Sequence, residues 1–143
     1  MQLAVPIVTE AGLLKGRDAV FLDRIESDGL ELVLAGDINS GLSSAGTGVM
    51  IPYRLTFIGV ISSFTCELDS HETIPENQFP YPAPYASSFD LIENSLYLAR
   101  LPVRGDYDKT RYRHYCLSTY DHIFHVIAEG YFLRLADKIR QKL

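Results

Sequence analysis

The chain has 143 residues, 47% of them hydrophobic and 11% aromatic, and a formal net charge of −5. That length fits one domain able to bury about two-thirds of its unfolded surface, and the composition excludes a disordered chain. No apolar run approaches the ~18 residues of a spanning helix, and the N-terminus MQLAVPIVTEAGLL lacks the basic start of a signal peptide. The expectation is a soluble, cytoplasmic protein without membrane contact.

The charge is uneven. Residues 1–99 hold 4 of the 13 basic and 13 of the 18 acidic residues, a net −9, whereas residues 100–143 carry +4. The acidic majority and the missing recognition motif argue against nucleic-acid binding. Cys66 and Cys116 both lie in apolar, strand-like runs, so they read as reduced, buried thiols rather than a disulfide framework.

In chain order, residues 3–8 (LAVPIV) form a short apolar run interrupted by Pro6. Residues 17–26 and 30–36 are β-prone runs joined by Ser27-Asp28-Gly29, a hairpin signal because glycine tolerates the positive φ of a tight turn. Residues 37–48 are rich in Gly and Ser and lack a phosphate-loop lysine, so they read as a loop without a nucleotide site. Residues 50–67 form the longest strand region, apolar on both faces through Leu55, Phe57, Ile58, Val60, Ile61 and Phe64, with Gly59 marking a bulge or close contact. Residues 68–87 hold Pro80, Pro82 and Pro84 alternating with Tyr81, Ala83 and Tyr85, a pattern that favours extended backbone. A loop this long in a compact domain either presents its tyrosines to a ligand or partner or packs them over the core edge. Residues 88–93 alternate as a strand, Asn94 or Ser95 caps a helix over 95–101, and Pro102 stops it. Residues 103–110 read as a charged loop and 111–119 as a strand. The tail 134–142 is strongly helix-forming.

The decisive segment is 119–133. As a helix it would gather His122, His125 and Glu129 on one face at i, i+3 and i+7, a donor set suited to zinc or iron. As a strand it would scatter them. The run IFHVIAEGYF is dominated by β-branched and aromatic residues, and Gly130 weakens a helix interior, so the strand is preferred. With Tyr120-Asp121 as a two-residue loop, Cys116 lies opposite His125 and His114 opposite Ile127, which brings one thiol and two imidazoles together. A one-residue slip would undo that pairing.

Cys116 with His114 or His125 is the catalytic candidate, since a thiol beside an imidazole can become a thiolate nucleophile. Its mid-strand position favours an inert buried thiol instead. Tyr81, Tyr85, Tyr112, Glu31 and Asp37 are the candidate ligand or partner contacts, and Asp106 and Asp108 read as a solvated charged loop. Neither metal nor cofactor is expected.

The expected fold is one α+β domain: a mostly antiparallel sheet of five to seven strands, a short helix at 95–101 and a C-terminal helix at 134–142. The expected function is non-catalytic protein binding, as an adaptor or toxin-neutralising immunity-type protein whose acidic surface meets a basic partner. An enzyme using the Cys-His cluster or a His-bound metal, and a small-ligand domain, are the alternatives. An exposed sheet edge would also allow a homodimer.

Overall fold

The computed structural model describes residues 2–43, 48–68, 70, 87–102 and 108–136. Within them the chain forms β1 (Leu3–Pro6), β2 (Val8–Thr9), β3 (Gly12–Leu13), β4 (Val20–Asp28), β5 (Glu31–Asn39), β6 (Met50–Ile58), β7 (Ser62–Glu67), β8 (Phe89–Glu93), a short helix α1 (Leu96–Arg100), β9 (Arg113–Ser118), β10 (His122–Ala128) and β11 (Gly130–Leu135). Five strands pair in the order β1-β8-β9-β10-β7 and four in the order β11-β6-β5-β4, all antiparallel, with β2 and β3 as a separate hairpin. The described chain is therefore mostly β rather than α+β, and its eleven strands exceed the expected five to seven.

Part of the excess is the β2–β3 hairpin, and the rest comes from two corners. The 50–67 run is not one strand covered on both faces. It breaks at Gly59 (φ +63), passing from β6 in the four-stranded sheet to β7 in the five-stranded one. The 119–133 run is extended, as expected, but breaks at Glu129 between β10 and β11 in the same way. The two corners meet: the Glu129 amide donates to the Ile58 carbonyl at 2.9 Å and the Ile61 amide to the Ile127 carbonyl at 3.0 Å. The positive φ of residue 59 favours glycine, and a Cβ there would stand 2.7 Å from Glu129 Cγ, so the Glu129 side chain would have to move aside.

The C-terminal helix expected at 134–142 is not found. Arg134 and Leu135 belong to β11, in register with Arg54 and Tyr53, and the Ala136 amide donates to the Pro52 carbonyl at 2.9 Å. Pairing along β6 outweighs the local helix preference there; residues 137–143 lie outside the described residues. The expected helix at 95–101 is present as α1, with the Ser95 hydroxyl accepting from the Leu98 amide as N-cap.

The inner faces of both sheets share one core. Leu34, Ile38, Tyr53, Leu55 and Phe57 from the four-stranded sheet meet Phe89, Tyr115, Leu117, Phe124 and Val126 from the five-stranded one. Phe57 and Tyr131 on one side and Phe89 and Tyr115 on the other form a four-ring cluster with centroid separations of 5.0 to 6.2 Å. Each fully buried ring or Leu contributes about 1.5–3 kcal/mol, so this seam is the main source of stability. In β9 and β10 consecutive residues are buried on both faces, which explains their continuous apolar runs.

Candidate functional site

The outer face of the five-stranded sheet carries the polar groups singled out by sequence. The β9–β10 hairpin has the expected register: Cys116 pairs with His125 and His114 with Ile127. Asp90 on β8 pairs with Cys116, and Phe64 on β7 pairs with His125, so Asp90, Cys116, His125 and Phe64 form one cross-strand row.

The histidines join in a buried chain. His114 Nε2 lies 2.8 Å from His125 Nδ1, and His114 Nδ1 lies 2.7 Å from Ser95 Oγ. Ser95 also accepts from the Leu98 amide at 3.0 Å. Its own proton is then available to His114 Nδ1, which leaves His114 Nε2–H to donate to His125. The Phe64 ring stacks on His125 at 4.5 Å, and the Tyr97 ring meets His114 edge-on at 5.4 Å. Tyr97 also hydrogen-bonds Ser62 across the same cover. Burial drops the His114 pKa to about 4, so the imidazole is neutral at physiological pH.

The surroundings of Cys116 disfavour its thiolate. Burial pushes its thiol well above the ordinary range, and the nearby Asp90 carboxylate pushes it further the same way. The row order is also wrong for relay catalysis: the thiol lies between carboxylate and imidazole, whereas a working base lies between nucleophile and acid. Asp90 is buried and accepts from the Ser87 hydroxyl at 2.7 Å.

The metal candidates do not converge. On strand β10, His122 and His125 point to opposite faces, and Glu129 sits at the corner, where it pairs with Arg111 at 3.2 Å. Among the described residues no group of three or more His, Cys, Asp and Glu side chains is placed to hold a metal ion. Tyr81 and Tyr85 lie outside the described residues. Tyr112 is buried and lines a cleft of about 510 Å³ between β8, α1 and β9, together with Asn94, Ser95, Arg113 and His114.

Glu31 and Asp37 sit elsewhere, on the outer face of the four-stranded sheet. Both belong to that face of β5, six residues apart, or about 20 Å along the strand. Glu31 is exposed at the β4–β5 turn, and Asp37 is half-buried near Pro52 and Phe21. The turn is a two-residue loop, Gly29-Leu30, with Gly29 at φ +58. Every residue from Asp23 to Glu31 is exposed, including Ile25 at 55% and Leu30 at 64%.

Two features of these faces escaped the sequence. Ser95 was legible as a cap but not as a partner of His114. Arg24, Arg54 and Arg134 fall in one cross-strand row with Ala35, through the pairings Arg24 with Ala35, Ala35 with Arg54 and Arg54 with Arg134. That row becomes visible only when the order β11-β6-β5-β4 is known.

No protein-family model, curated protein or solved structure matches the chain. The functional reading therefore rests on the geometry.

Proposed function

We propose that the protein is a non-catalytic protein-binding module, and that its contact surface is the outer face of the four-stranded sheet, led by the β4–β5 hairpin. The observation that carries this reading is the unbroken exposure of residues 23–31 in a paired ladder. On that outer face the exposed apolar side chains of Ile58 and Phe132, with Leu30 at the turn, lie beside Glu26, Asp28 and Glu31, whereas Ile25, in register with Leu34, is exposed on the opposite face. Large apolar side chains held on a rigid element cost little ordering entropy on binding, and the carboxylates around them select a partner offering cations. An adaptor or a toxin-neutralising role suits such a surface. The interlocked His114–His125 pair, with His114 neutral, is read as a structural polar network that fixes α1 over the sheet.

A photo-crosslinking residue at position 30 tests this in the cells that make the protein. The expected result is a discrete protein adduct that is lost in Asp28→Lys/Glu31→Lys and is not formed from position 8, an equally exposed site on the β2–β3 hairpin. An adduct indifferent to charge reversal, or none, overturns the reading.

A second reading, a small-ligand site, is favoured by the cleft beside α1, whose volume lies in the usual range for such pockets.

A further inference from the structure

The outer face of the four-stranded sheet is complementary to itself. Its residues fall into successive cross-strand rows fixed by the ladder. The first holds Arg24, Ala35, Arg54 and Arg134; the second Glu26, Val33, Thr56 and Phe132; the third Asp28, Glu31, Ile58 and Gly130. Adjacent rows on one face lie two residues apart, about 7 Å along the strands. The face thus has a cationic band of three arginines and an acidic band of Asp28 and Glu31 on either side of a central row that itself carries Glu26.

We propose that a second copy of this chain occupies this face, related by a two-fold axis running along the central row. This inference rests on the reading of the face as a protein interface and names its occupant. The two-fold turns the sheet over about that row and keeps each strand opposite its own counterpart. Every band then meets its opposite. Asp28 stands over Arg24 of the other copy, and Glu31 stands over Ala35, whose small side chain leaves room for the carboxylate to reach the arginines on either side. Ile58, 38% exposed, stands over the Arg54 stem, and Gly130 leaves space for Arg134. On the axis, Phe132, 51% exposed, meets its own copy. Glu26 also lies on the axis row, at its edge, and faces its own copy, where the ion pair with Arg54 at 3.4 Å offsets its charge.

The arrangement also accounts for a feature the monomer leaves costly. Arg54 and Arg134 are direct cross-strand neighbours, and like charges opposite each other destabilise a ladder. Among the described residues neither Arg24 nor Arg134 has an ion-pair partner within the chain. A second copy supplies one for Arg24 and brings the acidic band toward the others. An axis parallel to the strands would instead set arginine on arginine, so the charge pattern selects one orientation. Because the contact is led by exposed ion pairs, the dimer weakens with added salt.

Sedimentation velocity between about 1 and 200 µM at low salt tests this on the full chain. The expected mass rises from 16.1 kDa toward twice that value. Two charge-reversed variants carry the decision. Arg24→Glu/Arg54→Glu and Asp28→Arg/Glu31→Arg should each stay monomeric, at least about tenfold weaker in self-association than the native chain. Mixed in equal amounts, they should associate with each other, because each band again meets its opposite. A native chain monomeric throughout overturns the second copy while leaving the crosslinking result to judge the face itself. A dimer that survives either reversal, or a mixture that stays monomeric, also overturns it. Should a reversed variant fail to fold by circular dichroism, Phe132→Glu at the axis replaces it, and a dimer unaffected by that change is equally fatal.

Discussion

Replacing Gly36 by alanine isolates how tightly β4 is held to β5. At Gly36 the β4 ladder shifts register between Leu22 and Arg24, leaving Asp23 as the extra residue of a bulge. A Cβ on residue 36 would lie 2.0 Å from the Phe21 carbonyl oxygen, 2.8 Å from its carbon and 3.0 Å from Leu22 Cα. All three are backbone atoms and cannot rotate away. Restoring ordinary contact requires β4 to withdraw by more than ~1 Å, and overpacking of this kind typically costs about 1–3 kcal/mol. Stretching the ladder bonds beside the bulge adds about 1 kcal/mol, and the stiffer unfolded chain of Gly→Ala returns about 0.4–1 kcal/mol. The net expectation is a loss of about 2–3 kcal/mol. Gly29→Ala is the control: nothing lies within 4 Å of its Cβ, and only its φ of +58 opposes a side chain. That substitution costs about 1–2 kcal/mol. Urea unfolding followed by circular dichroism compares the two. A Gly36→Ala variant no less stable than Gly29→Ala would refute the close approach of β4.

The Tyr53 hydroxyl is buried with no hydrogen-bond partner among the described residues, and burial together with Asp23 and Asp37 raises its pKa. Tyr53→Phe removes that uncompensated group and should stabilise the fold by up to about 1 kcal/mol in the same urea assay; a clear loss would mean the hydroxyl is satisfied. His114 gives a pH dependence. Its folded pKa, about 4, lies below the ordinary 6.5, so between these values the unfolded chain binds more protons. Stability therefore falls as pH drops through this window, by about 3 kcal/mol at its lower end. The stability gap between the native chain and His114→Gln should shrink by that amount from pH 7 to pH 4, whereas a constant gap would remove His114 as the titrating group.

What could be read in advance depended on how local the cause was. The register of β9 against β10 was legible because the Tyr120-Asp121 loop fixes it within twenty residues, and the β4–β5 hairpin because Gly29 announces its turn. The corners at Gly59 and Glu129 were not, since the chain stays apolar and β-branched on both sides while changing sheets. The tail over 134–135 misled because helix preference is a local quantity and the ladder to β6 is not. The Ser95–His114–His125 chain was half visible: the hairpin brought the imidazoles close, but the contribution of α1 needed the third dimension. The thiol of Cys116 lies opposite His125 as expected, and the upward push on its pKa follows from burial that composition alone does not grade.

The paired corners have a mechanical consequence. Two covalent segments, 50–67 and 122–135, run through both layers and are zipped to each other on either side of the bend. Neither layer can peel away without breaking ladder bonds of the other, so the two are expected to lose structure together in one cooperative transition.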